Sequence, residues 1–463
     1  MITLESAQKI FEKQQQKALE LRRESYTVRK ARLRKLEKWI IKNRSVIQKA
    51  LYQDMRKSPA ETDLSEIYTV ITELREARSH LRDWVESVHI PSSLTYLGTS
   101  SWTIYEPKGV CLIISPWNYP FNLAVGPVVS ALAAGNTFIL KPSEFTPNTS
   151  ALIYRMVSEC FPEEVGYVIE GDSSISKSLL ELPFNHIFFT GSSSVGKLVM
   201  KAAADHLSSV TLELGGKSPA IIDQTADIGD TVAKVVWGKW LNAGQTCVAP
   251  DFIYIHEEIA GQFTDAIIAE ARKRFPRQDY TSIISSHHFK RLQALLKDAK
   301  KKGANIDEDG GVDKEDRIIY PVILTEVDER MDVMNEEIFG PLLPIIKFRH
   351  LKEVIKQVNS KPKPLSLYIF SRNRKNIKEI SKSTSSGNLV INDCVLQFAH
   401  PSFPFGGINN SGYGKSHGKA GFLAFSNEKS VLKQRRGITM AKLLYPPYSQ
   451  LKKKLINLLL KYF

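Results

Sequence analysis

Hydrophobic and polar positions follow two different rhythms along the 463-residue chain. Residues 5–88 carry apolar side chains at helical spacing among many Lys, Arg, Glu and Gln residues, and only Pro59 interrupts them. Apolar residues at this spacing line one face of a helix, so the segment is predicted to be helical. The pattern breaks near Pro91, and the stretch 100–105 that follows is β-prone and is interpreted as an exposed arm.

After Pro107 short apolar runs alternate with helical stretches. Such alternation predicts a parallel, doubly wound sheet, which binds ligands at the carboxyl ends of its strands. The predicted strands are 110–115, 137–141, 167–170, 186–190 and 210–214, and the predicted crossover helices are 121–134, 147–160 and 195–206. A second alternating region from 219 to 392 has strand-like runs at 252–256, 343–346, 366–371 and 388–392. The pattern therefore predicts two α/β domains that divide near Gly215 and Gly216.

Composition narrows the class of protein. The chain is 43% hydrophobic and 24% charged, which is typical of a globular protein with more than one core. Its four cysteines form no C-x-x-C pair and no zinc-binding spacing occurs, so a reducing compartment and no metal are expected. The N-terminus lacks the features of a signal peptide, and no stretch approaches the roughly 20 apolar residues of a membrane span. A cytoplasmic location is expected.

The net charge of +14 is the one unusual bulk feature, and it fits either a polyanion-binding surface or a merely solvated one. Nine Lys or Arg residues and no Asp or Glu lie between Lys429 and Phe463. The last stretch, 451–463, is basic and then rich in leucine, and it is too short to span a bilayer. As a helix it would suit an anionic membrane surface, the mouth of a substrate funnel, or a docking site on its own or a partner subunit.

A Gly/Ser turn between a predicted strand and helix is the first motif that suggests a ligand. It contains Gly191, Ser192 and Gly196, and a helix N-terminus at such a turn suits a pyrophosphate. The spacing G-x-x-x-x-G differs from the Rossmann and P-loop patterns, so the turn taken alone is more often structural. Lys141 and Glu144, at the end of another strand, would hold ribose hydroxyls or belong to a solvated loop.

Cys247 lies on the polar turn 244–247, where a thiol can be accessible. Cys111 is better explained as strand core, whereas Cys160 and Cys394 are indeterminate. The residues alone leave open whether Cys247 is reactive or structural.

Two further polar residues follow or close predicted strands. Glu213, between two leucines and before two glycines, either points to a solvated side or acts as a general base in a partly apolar cleft. Asn118 lies in a Pro-rich turn, where its side-chain amide would suit an oxyanion.

Together these pieces resemble the aldehyde dehydrogenase superfamily over essentially the whole chain. Six segments occur in the family's order: Pro116-Trp117-Asn118, Lys141-Pro142-Ser143-Glu144, Phe189-Thr190-Gly191-Ser192, Leu212-Glu213-Leu214-Gly215-Gly216-Lys217, Gly244-Gln245-Thr246-Cys247 and Glu336-Glu337-Ile338-Phe339-Gly340-Pro341. Each segment alone is moderately specific, whereas the ordered set is very specific. The segments 118–123, 404–408, 417–419 and 445–447 look like the class-3 or fatty-aldehyde branch.

The resemblance implies oxidation of an aldehyde, aliphatic of medium to long chain or aromatic, to the carboxylic acid with NAD(P)⁺. Cys247 is implied as the nucleophile that attacks the carbonyl as a thiolate. The Asn118 side-chain amide and the Cys247 backbone N–H would hold the alkoxide, and Glu213 would activate the water that hydrolyses the thioester.

The resemblance also implies which residues hold the dinucleotide. Gly191 and Ser192 are expected at the pyrophosphate. Lys141 and Glu144 are expected at the adenosine ribose, and Glu337 and Phe339 at the nicotinamide ribose. Trp117, Ser143, Gly196 and Leu214 complete the expected site. Glu144 favours NAD by bonding the ribose 2′-hydroxyl and repelling a 2′-phosphate, although the branch also accepts NADP. Ser193 departs from the family, since many members have Thr there.

The implied fold is α/β with two doubly wound open-sheet domains, a Rossmann-like cofactor domain and a catalytic domain, plus a small β oligomerisation arm. The expected divisions are 1–88 and 107–212 for the NAD(P)-binding domain, 213–425 for the catalytic domain, 89–106 and 426–436 for the arm, and 437–463 for a basic amphipathic C-terminal segment. A homodimer is expected, with a small-molecule aldehyde as substrate, peripheral membrane contact through the C-terminal segment, and no nucleic acid as partner.

Three other functions fit parts of the pattern. A CoA-acylating enzyme would pass the acyl group to a thiol, which needs no water-activating carboxylate such as Glu213. A nucleic-acid-binding protein would use the positive charge, but the chain shows no recognised nucleic-acid module. A catalytically inactive relative is disfavoured because Cys247, Glu213 and Asn118 occur together.

Overall fold

The N-terminal region is helical, in agreement with its hydrophobic spacing. The computed structural model describes residues 4–91, 93, 96, 98–275, 280–308, 310–437 and 439–462. Its first elements are α1 Leu4–Leu21, α2 Tyr26–Lys42, α3 Arg44–Met55, α4 Pro59–Thr62, the π-helix Asp63–Ile67 and α5 Tyr68–Val85. Pro59 does not disrupt this region, because it stands in the first turn of α4, where its missing N–H has no helical partner to lose.

The first sheet is built from short, almost wholly apolar strands. These are β3 Val110–Ile114, β4 Thr137–Lys141, β5 Gly166–Val168, β6 His186–Gly191, β7 Ser209–Leu214 and β17 Gly412–Tyr413. The helices between them are α6 Asn122–Ala134, α7 Pro147–Cys160, α8 Ser173–Leu179 and α9 Ser193–Asp205. The strand order is β17-β7-β6-β3-β4-β5, and all neighbours are parallel except β17, which is antiparallel to β7.

Helices cover both faces of this sheet, which explains why its central strands are continuous apolar runs. Successive side chains of a strand point to opposite faces. Along β3, Cys111 and Ile113 therefore join a buried cluster with residues of α2, α5, α6 and α7. Val110, Leu112 and Ile114 join a separate cluster with residues of α1, α8 and α9.

The second sheet is also mainly parallel. Its strands are β8 Pro219–Ile222, β9 Phe252–His256, β10 Asn305–Asp307, β13 Val322–Thr325, β14 Leu342–Phe348, β15 Ser366–Phe370 and β16 Asn388–Ile391. Their order is β10-β13-β14-β9-β8-β15-β16, and only β10 pairs antiparallel. Helices of this region are α10 Ile228–Trp240, a 3₁₀ turn Leu241–Gly244, α11 Glu257–Arg274, α12 Ser286–Lys301, α13 Asp332–Asn335, α14 Leu351–Ser360, α15 Arg374–Ser383 and α16 Leu396–Ala399. A small hairpin consists of β11 Val312–Asp313 and β12 Ile318–Ile319.

A third, antiparallel sheet contains the β-prone stretch 100–105. It consists of β1 Val88–Ile90, β2 Thr99–Pro107 and β18 Ser426–Gln434, and β18 pairs along the whole of β2. Positions 92, 94, 95 and 97 of the expected arm lie outside the described residues. The last elements are α17 Gly418–Ala424, α18 Met440–Leu443 and α19 Gln450–Tyr462, and α19 has no buried side chain. Positions 438 and 463 of the C-terminal segment are also outside the described residues.

The predicted fold class, α/β with two doubly wound open sheets, is confirmed. One segment lies elsewhere than its expected domain. Residues 412–424 were assigned to the second domain, but β17 hydrogen-bonds to β7 of the first sheet and α17 packs against α5 and α6. A two-residue strand carries too little hydrophobic pattern to identify its partner. Among the described helices none has the length and apolarity to cross a membrane.

Candidate active site

The carboxyl ends of β3, β6 and β7 in the first sheet meet at one cavity of about 280 Å³. The loop after β3 contributes Trp117 and Asn118, and the end of β7 contributes Glu213. Cys247, which follows the 3₁₀ turn, reaches the same cavity from the second sheet's region. The structure thus brings all three predicted catalytic residues together at the edge of the sheet where open α/β folds bind ligands.

The Cys247 segment has an unusual backbone. Asn242 and Ala243 have left-handed φ angles of 54° and 53°, and Gly244 follows with φ 72°. A Cβ on Gly244 would lie 2.2 Å from the carbonyl oxygen of Gly340, so only glycine fits there. The Gln245 side chain ties the turn down by donating to the Ser282 carbonyl at 3.1 Å and accepting from Ile284 N at 3.0 Å.

The Cys247 thiol is half-buried and lies near two carboxylates. Burial raises its pKa to about 12, and the nearby carboxylates of Glu337 and Glu213 add to the increase. Burial and negative neighbours both disfavour a thiolate. Attack by this thiol therefore needs a group that accepts its proton.

Asn118 is buried beside the Cys247 segment. Its Nδ2 donates to the backbone carbonyl of Gln245 at 3.0 Å. The next residue, Tyr119, hydrogen-bonds through its hydroxyl to Thr246 Oγ1 at 2.7 Å. A primary amide carries two N–H groups. One of those on Asn118 orients the side chain, and the other can serve a ligand in the cavity.

Glu213 is buried, with 7% of its surface exposed. Ser416 Oγ donates to its Oε1 at 2.9 Å, whereas Oε2 is buried without a hydrogen-bond partner among the described residues. Burial raises the pKa of Glu213 to about 7, although Ser416, His417 and Lys415 each act to lower it. A carboxyl group that titrates near neutrality is suited to general base catalysis.

Glu337 and Phe339 also line the cavity. Burial raises the pKa of Glu337 to about 8. A Cβ on Gly215 would lie 2.2 Å from Glu337 Oε2, so this glycine permits the close approach of the carboxylate. The Phe339 ring packs edge-on against Trp117, with 5.4 Å between the ring centroids.

The remaining predicted cofactor residues divide into two groups. Gly191, Ser192 and Leu214 line the cavity, and Lys141, Ser143, Glu144 and Gly196 lie outside its lining. Lys141 is buried at the end of β4 and its Nζ lies 2.7 Å from Glu144 Oε2. A Cβ on Gly196 would lie 2.6 Å from Leu214 Cδ2, so glycine lets α9 pack closely on β7.

The arrangement fits a dinucleotide. Ser192 caps α9 by accepting from Val195 N, and this 13-residue helix directs its N-terminal N–H groups towards the strand ends. Glu337 lines the same cavity as Gly191 and Ser192, and Lys141 lies at the carboxyl end of β4. Within the described residues, no cluster of three His, Cys, Asp or Glu side chains is placed to hold a metal ion.

Comparison with known proteins decides the family, because the aldehyde dehydrogenase family model matches residues 1–431. The chain belongs to the aldehyde dehydrogenase family. It is therefore an NAD(P)-dependent aldehyde dehydrogenase, an enzyme that oxidises aldehydes to acids. The resemblance inferred from the six ordered segments is confirmed.

Curated relatives cover most of this aldehyde dehydrogenase. The putative aldehyde dehydrogenase AldX of Bacillus subtilis is 40% identical over 434 residues, which is 92% of this chain and 97% of AldX. The 4,4'-diaponeurosporen-aldehyde dehydrogenase of Staphylococcus aureus is 41% identical over 87% of this chain and 88% of its own length. Aldehyde dehydrogenase family 3 member A2 of Mus musculus is 39% identical over 91% of this chain and 87% of its own length. The predicted similarity to the class-3 branch is confirmed.

Solved structures support the same assignment. A substrate-bound AldH of Staphylococcus aureus superimposes with a TM-score of 0.94 at 38% identity, covering 99% of this chain and 100% of AldH. A betaine aldehyde dehydrogenase of Staphylococcus aureus in complex with NAD⁺ is 27% identical with a TM-score of 0.85, covering 94% of this chain and 89% of its own. The glyceraldehyde-3-phosphate dehydrogenase GapN of Methanocaldococcus jannaschii, complexed with NADP, is 26% identical with a TM-score of 0.87, covering 94% and 95%.

The aldehyde dehydrogenase cavity also contains titratable residues that sequence reasoning missed. His417 Nδ1 lies 2.8 Å from Glu73 Oε1, and both residues line the cavity near Glu213. Phe398 and Phe405 pack edge-on or tilted against the His417 ring. Glu73 lies in the middle of α5, where it reads as one of many helix carboxylates. Its one sequence signal is its position on the buried, apolar face of that helix.

Proposed function

We propose that this aldehyde dehydrogenase oxidises an apolar aldehyde, aliphatic of medium to long chain or aromatic, to the carboxylic acid through a covalent bond to Cys247. The observation that carries the proposal is the meeting of Cys247, Glu213 and Asn118 in one cavity. These side chains supply a nucleophile, a base and an N–H donor, which are the groups that acyl chemistry requires.

The first step uses the thiol and the amide. Cys247 attacks the aldehyde carbon and becomes a thiohemiacetal. Because burial favours the protonated thiol, Cys247 releases its proton to solvent as the carbon–sulfur bond forms. The Asn118 N–H donates to the oxygen that gains charge. One such donor is typically worth about 10²–10³ in rate.

The second step releases the acid. When bound, the nicotinamide ring of NAD(P)⁺ accepts the hydride that turns the thiohemiacetal into a thioester. Glu213 then takes a proton from water as the water attacks the thioester carbon, the carbon–sulfur bond breaks, and Cys247 leaves as the thiolate. Ser416 fixes one oxygen of Glu213, which leaves Oε2 for the water.

The cofactor is proposed to bind along the carboxyl edge of the first sheet. Gly191 and Ser192, at the N-terminus of α9, would hold the pyrophosphate, with Gly196 and Leu214 packing beneath them. Lys141, Ser143 and Glu144 would hold the adenosine ribose, and Trp117, Glu337 and Phe339 the nicotinamide ribose. Glu144 would repel a 2′-phosphate, so we propose NAD as the preferred cofactor and NADP as a tolerated one.

Apolar residues define the aldehyde end of the cavity. Leu123, Pro127, Phe398 and Phe405 line it together with the backbone of Gly126. Such a lining favours a hydrocarbon or aromatic group over a polar one. A relative 41% identical to this chain is named for 4,4'-diaponeurosporen-aldehyde, which supports a lipophilic substrate.

The exposed surface of the third sheet is the basis for a proposed homodimer. Residues 89–106 and 426–436 would form the oligomerisation arm of a homodimer, since the β1-β2-β18 sheet leaves much of its surface exposed. We propose a cofactor-binding domain of residues 1–88 and 107–212, to which 412–424 are added. The rest of 213–425 would form the catalytic domain. The segment 437–463 would contact an anionic membrane from a cytoplasmic site.

The test compares Cys247→Ala with Cys160→Ala, whose thiol lies on α7 away from the cavity. NADH formation from a series of saturated and aromatic aldehydes should be lost in the first variant and kept in the second. Rates should rise with chain length and should be higher with NAD⁺ than with NADP⁺. Activity in Cys247→Ala would refute the mechanism, and acyl-CoA formed on adding CoA would favour the CoA-acylating alternative.

A further inference from the structure

A buried ion pair lies outside both large sheets. Lys57 follows α3 and Glu66 lies in the π-helix, and both side chains are 0% exposed. Neither belongs to the motifs that mark the family. Placing two charges in the interior costs several kcal/mol per ion unless further hydrogen bonds satisfy them. A π-helical turn inside a helix also often marks a functional position.

The further hydrogen bonds of this pair all go to the loop that carries Asn118. Lys57 Nζ donates to the backbone carbonyl of Asn118 at 3.3 Å and lies 4.3 Å from the centre of the Tyr119 ring. Glu66 Oε2 accepts from the backbone N–H groups of Phe121 at 3.2 Å and Asn122 at 2.8 Å. The charges therefore hold both ends of a short loop at the start of α6.

The Asn118 carbonyl also joins this loop to the Cys247 segment. Asn242 Nδ2 donates to it at 2.8 Å and to the Gln245 carbonyl at 3.1 Å. The backbone N–H of Asn242 donates to the buried carboxylate of Glu61 at 2.8 Å. A single peptide oxygen thus receives an ammonium group from one side and an amide group from the other.

We propose that Lys57 and Glu66 are positioning residues that hold the Asn118 peptide so that its side-chain amide faces the reacting carbonyl beside Cys247. The proposal rests on the proposed role of Asn118 as an oxyanion donor. Without Lys57 the peptide loses one of its two partners and can rotate. A misplacement of about 1 Å at a catalytic group can lower a rate by about 10².

The experiment uses the double variant Lys57→Met/Glu66→Gln, because Lys57→Met alone leaves an ionised carboxylate without a partner in the interior. The introduced amide carbonyl can still accept from the N–H of Asn122, so the start of α6 is kept. Rapid mixing with hexanal and NAD⁺ measures the first NADH burst, which reports acylation. We expect the burst to slow by about 100-fold. Alkylation of Cys247 by iodoacetamide, which needs no oxyanion donor, should change less than about twofold.

A double-mutant cycle with Asn118→Ala separates positioning from general stability. If Lys57 and Glu66 act through Asn118, their substitution should have almost no further effect once the Asn118 amide is absent. Equal losses in both backgrounds, or a parallel loss of iodoacetamide reactivity, would overturn the proposal. Arg44→Met is the matched control, since it removes the Asp63 ion pair of the same π-helix at the surface and should leave the burst unchanged.

The rate of Asn118→Ala distinguishes a failure of the proposed function from a failure of the positioning role. If Asn118→Ala alone acylates at the rate of the unaltered protein, Asn118 is no oxyanion donor and the premise fails. If Asn118→Ala is slow but the Lys57→Met/Glu66→Gln burst is fast, the proposed function stands and the positioning role is wrong.

Discussion

Ser416 Oγ donates a 2.9 Å hydrogen bond to Glu213 Oε1, while Glu213 Oε2 is buried with no partner among the described residues. An unsatisfied buried carboxylate oxygen costs free energy unless a ligand or water completes it. Since the group lines the same cavity as Cys247, the vacant acceptor is where a hydrolytic water would bind. We therefore expect the half-satisfied carboxylate to act in the second half of the reaction.

The first prediction concerns Glu213→Gln. In this variant the rate of the NADH burst should fall less than the rate of steady turnover, because hydride transfer precedes the attack of water on the thioester. Loss of a general base typically lowers a rate by about 10²–10⁴. Stopped-flow absorbance at the NADH band measures both phases. Glu258→Gln, which alters an exposed carboxylate, is the control. Unchanged steady turnover would show that Glu213 is not the base.

The second prediction concerns pH. Only the ionised carboxylate of Glu213 can take a proton from water, and its pKa is raised to about 7 by burial. Thioester hydrolysis should therefore be near its maximum well above pH 7 and should fall about tenfold per pH unit well below it. Steady turnover under conditions where hydrolysis limits the rate provides the profile. A rate that stays constant from pH 8 down to pH 5 would contradict the assignment.

The third prediction uses the charge of His417. Burial lowers the pKa of this imidazole, but the Glu73 carboxylate at 2.8 Å more than offsets that effect and leaves the pKa raised. When protonated, this imidazole lowers the pKa of Glu213, as does Lys415. Glu73→Gln should weaken the cation, raise the pKa of Glu213 and shift the hydrolysis profile to higher pH. Asp83→Asn, on the exposed face of α5, should leave it in place. A shift to lower pH would refute the electrostatic link.

The strands and most helices could be predicted because their signals are local. Val110–Ile114 and Thr137–Lys141 are continuous apolar runs that only a sheet covered on both faces would bury. The turns at Gly191 and Gly244 carry glycines because a side chain there would meet the Phe189 ring and the Gly340 carbonyl, respectively. Asn118 follows β3 and Glu213 lies at the end of β7, so their meeting could be inferred from the topology of a parallel sheet. Cys247 belongs to the second sheet's region, and only the resemblance to the family implied that it joins them.

Other features depend on contacts between distant segments and have no local signal. Glu73 meets His417 across more than 300 positions, and Lys57 reaches the Asn118 carbonyl from a region that reads as ordinary amphipathic helix. The pairing of β17 with β7 likewise depends on two residues. Each of these contacts joins segments that are far apart in sequence, so it can be recognised only from the three-dimensional structure.

The fourth prediction concerns cofactor choice. Lys141 Nζ and Glu144 Oε2 are 2.7 Å apart at the end of β4, where the adenosine ribose is proposed to bind. Glu144→Gln removes a negative charge that would repel a 2′-phosphate. The ratio of kcat/KM for NADP⁺ to that for NAD⁺ should rise about tenfold, which corresponds to about 1.4 kcal/mol. Glu181→Gln, which alters an exposed carboxylate, is the control. A ratio that is unchanged would place the 2′-position away from Glu144.

The fifth prediction concerns α19. Leu451, Leu458 and Tyr462 are 78%, 53% and 64% exposed and recur at helical spacing, so they form an apolar stripe that the chain itself leaves uncovered. Lysines lie beside this stripe at 452–454 and 461. Such a helix binds an anionic surface by insertion of its apolar face and by attraction of about 1 kcal/mol per basic residue.

A variant that ends at Tyr448 separates this role from catalysis. The full chain should sediment with vesicles of anionic phospholipid at low salt, and the shortened chain should remain in the supernatant. Raising the salt should weaken binding, because the Debye length falls to about 8 Å at physiological ionic strength. Leu451→Ser/Leu458→Ser keeps the lysines and tests the apolar stripe alone, so partial binding is expected. Both variants should oxidise hexanal at the rate of the full chain, since α19 contributes no residue to the cavity lining. Equal sedimentation of full and shortened chains would exclude α19 as the membrane contact.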